Sequence, residues 1–86
     1  MKAGKPSDLL TIPGVGIAVA RALNIAGIFS RDDLRGRDPG ELYDQLAGYY
    51  ASKLDRCMLY VLRCAVYYVN EPNPVPEKLK WWYWKD

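Results

Sequence analysis

Gly14-Val15-Gly16, with Pro13 before it and an apolar run from Ile17 to Ala26 after it, is the stretch of this 86-residue chain best equipped for chemistry. A tight turn at a helix start leaves main-chain N–H groups with no intrahelical acceptor and sets the positive end of the helix dipole behind them. The chemistry this offers is the holding of a negatively charged oxygen, above all a phosphate, by the amides of Gly14, Val15, Gly16 and Ile17. Glycine suits the turn because it tolerates left-handed or strained backbone and, having no Cβ, lets a ligand approach the main chain. Lys5 and Arg21 are the cations expected to assist.

Other chemistries are poorly supplied. The chain has no histidine, which removes the commonest general base and the commonest metal ligand together. Cys57 and Cys64 are seven residues apart on one expected helix, about 10.5 Å between Cα atoms at 1.5 Å per residue. A disulfide needs less than about 7 Å. They lack zinc or redox spacing as well, so both are expected to be small apolar side chains of the core. No acid and base are placed together by helical spacing in an apolar setting, so no enzyme, cofactor or metal is expected.

Two further groups carry possible function. Lys53, Arg56, Tyr60, Arg63, Tyr67 and Asn70 recur at 3.5-residue spacing along one helix. This row reads either as the solvated face of a packed helix, with tyrosine hydroxyls reaching water, or as a nucleic-acid surface with rings between charges. The last ten residues hold Trp81, Trp82, Tyr83 and Trp84 among lysines. Trp81 and Trp84, three apart, are expected to pack inward as a lid; the alternatives are a base-stacking platform or a patch that captures another protein.

The elements that must position these residues follow from local signals. A short helix is expected from Ser7 as N-cap to about Thr11, then a helix over 16–26 stopped by Gly27. Ser30 and Asp33 resemble a capping box opening a short third helix that Gly36 ends. Asp38-Pro39-Gly40-Glu41 starts a fourth helix, with Leu42, Tyr43 and Leu46 buried and an end near Gly48. The longest helix is expected from Ser52 through Val69, apolar over more than half its circumference and therefore the central post. Three prolines over 70–76 exclude helix and make a semi-rigid arm to the aromatic tail.

Charge is uneven along the chain although the net value is only +2. Residues 1–31 hold four cations and one carboxylate, 32–52 two cations and five carboxylates, and 53–86 six cations and four carboxylates. The glycine turn thus lies in a basic part, while the middle would repel DNA. No run of about 18 apolar residues is present to span a bilayer. The first residues lack an apolar signal core, so a cytoplasmic protein is expected.

Leu10, Ile12, Gly14, Val15, Gly16, Ala20 and Leu23 resemble a helix-hairpin-helix element, the module with which many repair and replication proteins grip a sugar-phosphate backbone. The resemblance implies that Val15 plugs the gap between the two helices and that the partner is DNA, bound weakly and without sequence preference. One departure stands out: DNA-gripping hairpins often carry Lys or Arg after the second glycine, where this chain has Ile17 and Ala18. Helices three and four look like a second, degenerate hairpin with a structural role.

Over nearly its whole length the chain also resembles the bacterial pathogenicity-locus family, whose members are labelled mitomycin resistance proteins as well. The matching strings are 38–43 (DPGELY), 55–68 (DRCMLYVLRCAVYY) and 79–86 (LKWWYWKD). The names imply a DNA-damage connection without assigning a reaction, and the label raises small-molecule or drug binding as another alternative. Because Arg56 and Arg63 belong to the matching string, they join the expected DNA-binding residues. The expectation is one all-α domain: a five-helix helix-hairpin-helix (SAM-like) fold, with both hairpins over 7–48, a central helix over 52–70, and a Pro-rich arm and Trp-rich tail over 71–86 packed on the helices.

Overall fold

The structure, a computed structural model, describes residues 6–50 and 54–85. Among them the chain is all-α: α1 (Pro6–Leu10), α2 (Ile17–Ile25), α3 (Arg31–Leu34), α4 (Pro39–Tyr50) and α5 (Arg56–Asn70), then two 3₁₀ turns, Pro76–Leu79 and Trp81–Trp84. Each boundary has a local cause. α2 closes with Gly27 at φ +86°, its N–H donating to the Asn24 carbonyl and that of Ile28 to Leu23, the paired bonds of a Schellman stop. The Ser30 hydroxyl accepts from the Asp33 N–H at the start of α3, while the Asp33 carboxylate reaches one residue further back, to the N–H of Phe29. Asp38 caps α4 by accepting from the Gly40 N–H.

Three expected boundaries differ. α1 already includes Pro6, whose fixed φ suits the first helical position, so Ser7 lies inside the helix rather than capping it. Gly48 does not stop α4, which runs on to Tyr50; one glycine weakens a helix by only about 1 kcal/mol. Asp55, not Ser52, caps α5, its side chain accepting from the Cys57 N–H at 3.0 Å; Ser52 falls outside the described residues.

A shared core joins all five helices. Leu9, Ile12, Val15, Leu23, Ile28, Leu34, Leu42, Leu46, Leu62, Ala65 and Val69 are buried in one cluster, with α5 contributing from its apolar side. Polar clasps fix the helices around it. Asp8 of α1 accepts from the Arg31 N–H and pairs with its guanidinium, so the first helix caps the third. Arg35 donates to the Val69 carbonyl and the Gly36 N–H to Asn70, which ties the α3–α4 turn to the end of α5.

The cysteines part company. Cys64 is buried, but Cys57 is exposed, because it sits in the first turn of α5 where the helix has only just left its cap. Burial pushes the Cys64 thiol up. Cys57 is also raised, by desolvation first and then by the hydrogen bond and charge of Asp55. Neither sulfur is primed as a thiolate.

Candidate nucleic-acid interface

The bend that joins α1 to α2 is built from the Ile12-Pro13-Gly14-Val15 sequence. Proline takes the second position and Gly14, at φ +84°, the third, and the Val15 N–H closes the turn on the Ile12 carbonyl at 3.1 Å. This is the residue pattern of a type II turn, in which only the third position needs left-handed backbone. Gly14 therefore has a conformational reason to be glycine.

The closure corrects one expectation. The Val15 amide is spent inside the turn and its side chain is buried, so Val15 shapes the bend and has no N–H to give a ligand. Among the described residues, the N–H groups of Gly14, Gly16 and Ile17 meet no acceptor. Gly16 caps α2 in extended backbone, at φ −99°, with no side-chain hydrogen bond to the first helical turn. A Cβ added there would meet nothing within 4 Å. Neither backbone nor packing requires glycine at this cap, where Ser, Thr, Asp or Asn would be more stabilising. What glycine leaves is an open approach to the start of a nine-residue helix.

Ile17 is 64% exposed, and Arg21, one turn along the same face, is exposed too. Lys5 lies outside the described residues. On the other side of the bend stands a neighbour from the far end of the chain. A Cβ on Gly14 would lie 3.8 Å from the Cβ of Trp81 and 3.9 Å from Val61 of α5. The tail therefore abuts the bend without covering it: Gly14 and Gly16 stay exposed. The exposed Lys80 is next to Trp81 in sequence.

Arg56 and Arg63 stand elsewhere. At 100° per residue, Arg63 points nearly opposite to Val61, which faces the bend, and Arg56 is also turned well away. The Arg63 guanidinium donates to the Trp84 carbonyl at 2.8 Å and lies over the Tyr60 ring. Arg56 lies over the Tyr43 ring of α4. The same use accounts for the rest of the described row. The Tyr67 hydroxyl accepts from the Val75 N–H, its ring packs on Trp84 at 5.4 Å between centroids, and Asn70 serves the α3–α4 turn. Lys53 falls outside the described residues. Much of the row that read as solvated or DNA-facing is thus a seat for the tail and a clasp for α3.

The tail is held by a small set of bonds. The Lys78 carbonyl accepts from the Trp84 indole at 2.8 Å and from the Cys64 thiol at 3.6 Å. The Lys78 ammonium lies over the rings of Tyr67 and Tyr83. Trp81 packs against the core and Trp84 is half-buried, whereas Trp82 and Tyr83 are exposed. The lid expected of Trp81 and Trp84 is the observed arrangement.

Two clefts lie away from the bend. One, of about 420 Å³, is lined by Arg31, Arg35, Tyr68, Asn70 and Pro74; both arginines are already paired, with Asp8 and Asp32. The other, open and about 560 Å³, lies between Arg63, Tyr67, Tyr83, Trp84 and Lys85. Among the described residues no group of three His, Cys, Asp or Glu side chains is placed to hold a metal, and no helix is long and apolar enough to cross a membrane.

Comparison with known proteins agrees with this all-α chain being one of a recognised kind. It is 34% identical over 84 residues to the mitomycin resistance protein McrB of Streptomyces lavendulae, covering 98% of this chain and 76% of that protein. No solved structure matches it. The family model described as Cdd1, pathogenicity locus, matches residues 2–86, and the chain belongs to that family.

Proposed function

We propose that this protein is a DNA-binding module which grips the phosphate backbone through the α1–α2 bend, as helix-hairpin-helix elements do, and takes part in tolerance of DNA damage. One observation carries the reading: an exposed, uncapped start of α2 at Gly16, with open space where a side chain would stand. The Gly16 and Ile17 amides and the helix dipole supply the attraction, and Arg21 and Lys80 add positive charge at the two sides. The name of the Streptomyces lavendulae relative supports the link to mitomycin resistance. The role is binding rather than catalysis.

Such a grip touches few phosphates, so it is weak and salt-dependent. With about two phosphates neutralised, affinity should fall about tenfold between 50 and 200 mM salt. The decisive variant is Gly16→Asp. Aspartate is a favoured N-cap, and the site has ordinary backbone and room, so the fold should keep or gain stability. Its carboxylate would sit where the phosphate oxygen is held. Titration of labelled duplex and single-stranded DNA at low salt should show binding by the natural protein and a loss of about tenfold or more in the variant. Equal binding by both would remove the bend from the account and leave the alternative reading, a protein adaptor using exposed Ile17 and the tail residues Trp81, Trp82 and Trp84.

A further inference from the structure

Trp82 is a large side chain whose position the fold does not explain. It is 54% exposed, and its indole makes one ring contact among the described residues, edge-on to Trp81 with centroids 5.7 Å apart. A tryptophan left in water forgoes the burial that makes the residue stabilising. Its neighbours in the tail show the contrast, since Trp81 packs on the core and Trp84 is bonded through its indole to Lys78.

Trp82 lies close to the bend. Trp81 is the residue that a side chain on Gly14 would meet first, and Trp82 leans on Trp81, so the exposed indole stands one ring away from the glycine turn. Lys80 precedes the pair and is exposed. A strand of nucleic acid needs both things found along this edge: donors and cations for its phosphates, and an accessible aromatic face for its bases. In an intact duplex the base faces are stacked and out of reach. In a single strand they are free.

We infer that Trp82, with Trp81 behind it and Lys80 beside it, is a base-stacking platform continuous with the α1–α2 bend, and that the protein prefers unpaired DNA, such as single strands or frayed ends, to intact duplex. The inference rests on the proposed phosphate grip and names its substrate class. The bend holds the backbone, and Trp82 stacks on a base a nucleotide or two away. Stacking tolerates any base, so the preference is for strandedness and not for sequence.

The test is a set of anisotropy titrations with one labelled oligonucleotide of about 12 nucleotides, a length within ordinary single-strand site sizes, alone and annealed to its complement at low salt. The natural protein should bind the single strand about tenfold more tightly than the duplex. Trp82→Ala should lose about tenfold for the single strand and leave the duplex unchanged, and Trp82→Phe should restore most of the loss. Gly16→Asp should weaken both. If Trp82→Ala binds both forms as the natural protein does while Gly16→Asp weakens both, the platform is overturned and the grip survives; the exposed rings then belong to a protein partner. If Gly16→Asp changes neither affinity, or no DNA is bound, the grip fails and the platform fails with it.

Discussion

Leu62→Ala should lower the free energy of unfolding by about 2–5 kcal/mol, which for a domain of this size is enough to leave much of it unfolded at physiological temperature. Leu62 is fully buried in the cluster that all five helices share, on the side of α5 that faces them. Truncating it removes the transfer free energy of the lost carbons and leaves a cavity with rigid walls, because the neighbours arrive from elements that are clasped at their ends. Denaturant unfolding followed by circular dichroism measures the loss. Leu62→Met, which keeps the volume, should cost less than about 1.5 kcal/mol. A small loss for the alanine variant would mean that α5 is not the post around which the helices pack.

Trp84→Ala should cost about 2–4 kcal/mol, slightly less than a fully buried ring, while Trp82→Ala should stay within about 0.5 kcal/mol. The two residues are two positions apart, yet the tail uses them differently. Trp84 gives its indole N–H to Lys78, packs on Tyr67 and Tyr83, and offers its carbonyl to Arg63. Losing the ring leaves the Lys78 carbonyl with only the weak Cys64 thiol donor and exposes the flank of α5 that the tail covers. The Trp82 indole makes no hydrogen bond among the described residues and its ring has one edge-on contact, with Trp81, which makes it the variant suited to testing DNA binding without disturbing the fold. Equal losses for the two variants would contradict this division between anchor and exposed ring.

Much of the fold was legible because its signals are local. The Gly27 stop, the Ser30 and Asp33 pair and the Asp38-Pro39 start each depend on residues within five positions of one another, and each bond is made within that span. The candidate bend was legible for the same reason, except that a type II turn spends the Val15 amide on Ile12, which the glycine spacing does not reveal. The role of the α5 row was not legible. Lys, Arg, Tyr and Asn on one helix face describe a solvated surface equally well, and their partners lie 8 to 34 residues away. A signal was nevertheless present: a Pro-rich arm leading to a Trp-rich tail needs a seat, and a row of Tyr and Arg is suited to stacking rings and holding carbonyls. Trp81 beside Gly14 joins opposite ends of the chain and depends on the packing of everything between. Cys57 shows the converse error, an apolar residue in helical register whose position in the first turn leaves it in water.

The proposed grip depends on main-chain N–H groups at the start of α2 receiving a phosphate oxygen. Amide resonances followed by nuclear magnetic resonance during addition of a short single-stranded oligonucleotide at low salt read those groups directly. The expected result is that Gly16, Ile17 and Ala18 shift first and furthest, that Val15, closed on Ile12, shifts less, and that the movement reverses when salt is raised. Shifts confined to α3, α4 or the outer face of α5, or no shift at the bend while DNA is bound, would contradict it.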